Sequence, residues 1–134
     1  MSGGGPLDTE TTLALIRTAA QARRFLAYAD VAFANGDEWT RVRRHMRVHL
    51  IAVCRAAIRE SGPLVSSIVV NRHHVGTGAM ELETLVGFLA AARDLGFAWD
   101  DGPAFLREQQ AATFRWATQS ERPSQSGGLA QRSP

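Results

Sequence analysis

Four histidines are the residues whose type and spacing come closest to metal chemistry in this chain. His45 and His49 are four positions apart in a segment with helical periodicity, which places both rings on one helix face, as a zinc site requires. His73 and His74 follow later and are further candidate ligands. However, no glutamate follows His45 as in the zincin motif, and nearby arginines repel a cation. We therefore expect no bound metal and no cofactor.

Serine-based and phosphate-binding motifs are incomplete in this sequence. Ser66 and Ser67 precede the histidines, but the Gly-x-Ser-x-Gly elbow of a hydrolase is absent. The glycines Gly76 and Gly78 are too close together for a phosphate-binding loop, which also needs a lysine. No residue is therefore assigned a catalytic role, and the sequence favours a protein that is not an enzyme without deciding the matter.

All 15 basic residues of the chain are arginines. A catalytic lysine is thus excluded, and every basic side chain carries a planar guanidinium group, which can form paired hydrogen bonds with phosphate or carboxylate. The formal net charge of +2 is unevenly spread, because residues 17–72 carry ten arginines against four carboxylates. Such asymmetry predicts a basic surface and an anionic partner, although an ordinary solvated helix face remains the alternative.

An arginine-rich segment from Trp39 to Ser61 predicts a long amphipathic helix that ends at Gly62-Pro63. On a helical wheel Arg43 and Arg47 lie at the margin of the apolar arc, where their stems can pack. The apolar arc consists of Trp39, Val42, Met46, Leu50, Val53 and Ala57. The candidate nucleic-acid ligands are the arginines opposite this arc and two residues after the next strand: Arg41, Arg44, Arg55, Arg59, Arg72 and His73.

The remaining elements are predicted from periodicity and turn signals. A first helix begins at Asp8 or Thr9, and residues 25–34 either continue it or form a short extended piece followed by a helix. Residues 64–71 are β-branched and predict a strand, with a short return strand at 75–80. A helix over 81–95 has Leu82, Leu85, Val86, Leu89 and Ala92 inward, and a last helix begins near Pro103.

These elements predict a small, single α+β domain that is mostly helical, with one short hairpin or strand, and that is winged-helix-like. The domain spans residues 8–117, between a flexible N-terminus (1–7) and a disordered tail (118–134). The expected core is formed by residues from three elements: Met46, Leu50, Val53, Ile68, Val70, Leu85 and Leu89.

Cys54 is the single cysteine, so no intramolecular disulfide is possible, which fits a reducing cytoplasm. Its apolar neighbours predict a buried small hydrophobe rather than a nucleophile. No signal peptide and no apolar run long enough to cross a membrane is expected, so a membrane is not among the predicted partners.

The segment Arg24–Ala32, the Pro-Leu-x-Ser-x-x-Val-Val-Asn motif at 63–71 and the segment Gly87–Gly96 resemble a group of small bacterial proteins. These proteins are common in actinobacteria and in mobile or phage-related DNA. The resemblance covers roughly residues 24–117 and implies no settled activity.

The order of a Tyr-Ala-Asp-Val-Ala helix start, a second helix, a proline, a strand and a histidine loop resembles the C-terminal, winged-helix half of alkylguanine-DNA alkyltransferases. That family has a Pro-Cys-His-Arg core after its strand, whereas this chain has Val70–His74 without a cysteine. The resemblance therefore implies a DNA-binding fold but not alkyl transfer.

Together these features predict a non-enzymatic, nucleic-acid-binding, arginine-rich small domain of bacterial or phage origin. The alternative is a protein–protein interaction module, such as an immunity protein, an inhibitor or a complex subunit. A histidine-based, metal-dependent hydrolase or nuclease is a third hypothesis.

Overall fold

The structure, a computed structural model, describes residues 7–121, with side chains as far as Gln119. Helices dominate it, so the chain is a small α+β domain that is mostly helical, as predicted. Its helices are α1 (Thr9–Gln21), α2 (Tyr28–Ala34), α3 (Trp39–Arg59), α4 (Leu82–Asp94) and α5 (Gly102–Glu121). Its strands are β1 (Leu26–Ala27) and β2 (Val69–Val70), and single 3₁₀ turns cover Val65–Ile68 and Arg72–His74.

The start of α1 and the end of α3 lie where the local sequence predicts them. Asp8 caps α1 by accepting hydrogen bonds from the Thr11 backbone N–H and hydroxyl, each at 2.8 Å. At the end of α3, Ser61 adopts a left-handed φ of 64°, and the Gly62 N–H donates to the Ala57 carbonyl at 2.7 Å. Pro63 then prevents continuation of the helix.

Residues 25–34 take the second of the two predicted forms, an extended piece followed by a helix. The Asp30 carboxylate accepts a hydrogen bond from the Ala27 N–H at 2.9 Å, which fixes the start of α2 at Tyr28. As a result β1 is only two residues long.

The predicted strand over residues 64–71 is mostly wrong. Val65–Ile68 form a 3₁₀ turn, and only Val69 and Val70 pair, in parallel, with Leu26 and Ala27. The reason is the short partner, because a strand extends only as far as its backbone groups find a ladder. Residues 75–80 form no return strand, so the described residues contain no antiparallel hairpin of the kind a wing requires.

The core lies between α1, α3, α5 and the buried segment from Leu64 to Val70. Of the predicted core residues, those of α3 and of this segment are buried: Met46, Leu50, Val53, Ile68 and Val70. Leu85 and Leu89 of α4 are half-buried and pack against the core. The predicted phase of α3 is therefore confirmed.

The predicted inward face of α4 is partly wrong. Leu82 and Val86 are 77 % and 57 % exposed, while Phe88 and Ala92 are the buried residues of this helix. Helix α4 packs chiefly on α5, so its contact face is set by that neighbour. Because α4 has apolar residues on both sides, the sequence alone did not determine which side is buried.

Two predicted boundaries also shift. Leu7, assigned to the flexible N-terminus, is half-buried and packs against the core. Helix α5 continues through Glu121, beyond the predicted end of the domain at residue 117. The rest of the predicted N-terminal lead and of the predicted disordered tail lies outside the described residues. Within them, no helix is both long and apolar enough to span a membrane.

Candidate nucleic-acid interface

Helix α3 presents an arginine surface, which we define as Arg41, Arg44, Arg55 and Arg59. All four are exposed. The buried residues of α3 lie on the opposite side of the helix, where they face the core: Val42, Met46, His49, Leu50, Val53, Cys54 and Ala57. With a rise of about 1.5 Å per residue, the surface is about 27 Å long.

The charge of this surface is largely uncompensated. Helix α3 contains six arginines and no acidic residue. Among the described side chains, only Arg41 of these six forms an ion pair, with Nε 3.0 Å from Asp37 Oδ1. Glu60, directly after the helix, is held by Arg17 at 2.6 Å. Arg44, Arg55 and Arg59 are therefore available to an external anion.

Arg72 and His73, the other predicted nucleic-acid ligands, are exposed on the 3₁₀ turn that follows β2. No hydrogen bond, ion pair or ring contact joins them to α3 among the described residues. They lie on a different element from the arginine surface.

The structure separates the two α3 histidines that the sequence placed on one face. His45 is exposed, whereas His49 is buried and its Nε2 lies 2.7 Å from the Thr12 hydroxyl. Residues four apart in an α-helix differ in direction by only about 40°. The edge of the core lies between the directions of these two side chains, so one is buried and the other is exposed.

His73 and His74 lie near each other on the turn after β2, and His74 Nε2 is 3.5 Å from Glu81 Oε2. Among the described residues, no group of three or more His, Cys, Asp or Glu side chains could hold a metal ion. The four candidate metal ligands are therefore not brought together.

The buried Thr12 and His49 and the half-buried Asn35 form a polar network that the sequence did not reveal. The fully buried Thr12 hydroxyl accepts a hydrogen bond from Asn35 Nδ2 at 3.0 Å and contacts His49 Nε2. Burial lowers the pKa of His49, and the Asp8 carboxylate opposes this shift. The neutral imidazole is therefore favoured in the fold.

Acidification is expected to destabilise the protein through His49. Because its pKa is lowered in the fold, the unfolded chain binds this proton more readily, so stability is greatest above the unfolded pKa of about 6.5. Stability falls as the pH drops from there through the folded value. Thermal melts at about pH 7.5 and about pH 5.5 measure this loss.

The matched variants for this measurement are His49→Gln and His45→Gln. The first should reduce the difference between the two melting temperatures, and the second, at an exposed position, should leave it unchanged. An unaltered pH difference in His49→Gln would assign the effect to other groups.

Cys54 is buried, as predicted. Burial raises the pKa of its thiol, and its Sγ donates to Ser66 Oγ at 3.3 Å. A buried, protonated thiol is a poor nucleophile, so this residue serves as packing.

A cavity of about 300 Å³ lies between α3 and α4 and was not predicted from the sequence. Arg43 and Arg47, which we placed at the margin of the apolar arc, line it. The sequence signal for this space is the set of small residues of α4 that line it, Gly87, Ala91 and Ala92.

The chain was compared with protein-family models, curated proteins and solved structures, and none of the three comparisons finds a match. The two resemblances described from sequence motifs therefore stay predictions.

Proposed function

We propose that this protein is a non-enzymatic domain that binds nucleic acid through the arginine surface of α3. The observation that carries the proposal is the exposure of Arg44, Arg55 and Arg59 on a helix without acidic residues. None of the three has a carboxylate partner among the described side chains. Guanidinium groups bind phosphate oxygens with two parallel hydrogen bonds, so free arginines favour a phosphate backbone.

Arginine contacts to phosphate favour binding that does not depend on base sequence. Over about 27 Å, duplex DNA presents about sixteen phosphates, far more than the arginines can contact. Contacts to phosphate position a protein without reading bases. We therefore expect similar affinities for duplexes of different sequence.

The proposal is tested with a triple variant, Arg44→Gln, Arg55→Gln and Arg59→Gln, titrated against a labelled duplex by fluorescence polarisation. Arg41 is left intact because it already pairs with Asp37. We expect at least about tenfold weaker binding at low salt. The plot of log K against log salt should become shallower: the magnitude of its negative slope should decrease by about 2–3, since each lost phosphate contact removes about 0.9.

The matched control changes three exposed arginines elsewhere, Arg24→Gln, Arg107→Gln and Arg115→Gln. This control removes the same charge as the first triple variant. A similar loss of affinity in both variants would therefore indicate a general electrostatic attraction of the protein rather than binding through the arginine surface. Absence of salt-sensitive binding by the wild-type protein at micromolar concentration would contradict the proposal. Circular dichroism establishes that both variants are folded.

A protein partner is the second candidate, and one observation favours it. Leu82 and Val86 are one turn apart on α4, and both are exposed. Exposed apolar side chains on one helix face are typical of interaction surfaces. If the wild-type protein fails to bind nucleic acid, this face becomes the leading candidate.

A further inference from the structure

The cavity between α3 and α4 has an apolar wall. Met46 and Leu50 of α3, Phe88 of α4 and Leu95 are among its lining residues. Its volume of about 300 Å³ is within the range of small-molecule sites. One water molecule occupies about 30 Å³ in the liquid, so on this scale the cavity accommodates a ligand of about ten non-hydrogen atoms.

The polar residues of the cavity give it a positive end. Arg43 and Arg47, one turn apart on α3, both line the cavity, and no Asp or Glu is among the lining residues. Neither arginine forms an ion pair among the described side chains. Asn71 also lines the cavity, and its Oδ1 accepts a hydrogen bond from the Thr84 hydroxyl at 2.7 Å. Its Nδ2 is a hydrogen-bond donor that a carboxylate could use.

We propose that this cavity binds a small monocarboxylic acid with an unbranched apolar chain of about eight carbons. The carboxylate would pair with Arg43 and Arg47, and the chain would pack between Met46 and Phe88. An inorganic anion would leave the apolar wall unfilled, while a neutral hydrocarbon would leave both guanidinium groups without a counter-charge. An amphipathic carboxylate satisfies both ends of the cavity.

Octanoate is the probe, titrated into the wild-type protein by isothermal calorimetry. We expect saturable binding with one site per chain. From butanoate to octanoate the affinity should rise about fourfold per methylene, because each added methylene is removed from water. The increase should stop in longer acids once the cavity is filled. Octanol, which lacks the charge, should bind at least about tenfold more weakly.

A charge variant tests the positive end. Arg43→Gln with Arg47→Gln should remove the preference for octanoate over octanol. The matched control, Arg107→Gln with Arg115→Gln, changes two exposed arginines of α5 that do not line the cavity and should retain it.

A filling variant tests the cavity itself. Gly87 lies inside α4 and lines the cavity, and a Cβ built there meets no atom within 4 Å. Gly87→Leu therefore places a side chain in open space, and leucine is the better helix former. We expect a melting temperature that is unchanged or raised, together with loss of octanoate binding.

Three results would overturn the proposal: no saturable octanoate binding by the wild-type protein, wild-type affinity in a folded Gly87→Leu variant, or an unchanged preference in the double arginine variant. The arginine surface shares no residue with this cavity. Duplex binding by Gly87→Leu should thus equal that of the wild-type protein, and either proposal can fail without the other.

Discussion

Replacement of Ile16 by alanine is expected to lower the free energy of unfolding by about 3–5 kcal/mol. Ile16 is fully buried in α1, the helix that packs against both α3 and α5. Its truncation removes apolar contacts and leaves a void that closely packed neighbours cannot fill. Urea unfolding followed by tryptophan fluorescence measures the loss, which is a large part of the stability of a typical domain.

Leu50→Ala is the matched comparison for this prediction. Leu50 is nearly as buried as Ile16, but it borders the cavity between α3 and α4. One side of Leu50 already borders an empty space, so its truncation removes fewer contacts. We expect the free energy of unfolding to decrease by about 2–3 kcal/mol. A larger cost for Leu50→Ala than for Ile16→Ala would contradict the packing described for these two positions.

Gly78→Ala is expected to cost about 2–4 kcal/mol. Gly78 has a φ of +79°, a left-handed conformation that alanine adopts only with strain, and an added Cβ would overlap the Phe25 ring. The backbone has little freedom to move away, because the Gly78 carbonyl accepts a hydrogen bond from the buried Gln110 amide at 2.8 Å. The same urea titration measures this effect.

Gly76→Ala provides the control in the same loop. A Cβ at Gly76 meets no atom within 4 Å, and its φ is not in the left-handed region. We expect a change within about 0.5 kcal/mol. In a Phe25→Leu background, part of the cost of Gly78→Ala should disappear, because the two residues are in contact. If the costs of Gly78→Ala and Phe25→Leu are strictly additive, backbone strain alone explains the destabilisation by Gly78→Ala.

The sequence by itself determined the features that depend on neighbouring residues. Asp8 caps α1, and Gly62-Pro63 ends α3. The period of apolar residues in α3 also determined which arginines are exposed, because a long amphipathic helix has only one way to bury its apolar arc. The mostly helical fold and the arginine surface followed from these local signals.

The tertiary structure alone decided the features that depend on a distant partner. The β-branched run ending at Val70 forms only a two-residue strand, because its partner β1 is cut short where Asp30 starts α2. The inward face of α4 depends on α5, and apolar residues around that helix were compatible with more than one phase.

The candidate sites show the same division. His45 and His49 share a helix face, yet only the position of α1, which supplies Thr12, makes one of them a buried network residue. The cavity arises from the separation of α3 and α4, a distance between elements that periodicity does not encode. Residue spacing specifies the geometry within an element, whereas long-range packing specifies which elements meet and where space is left between them.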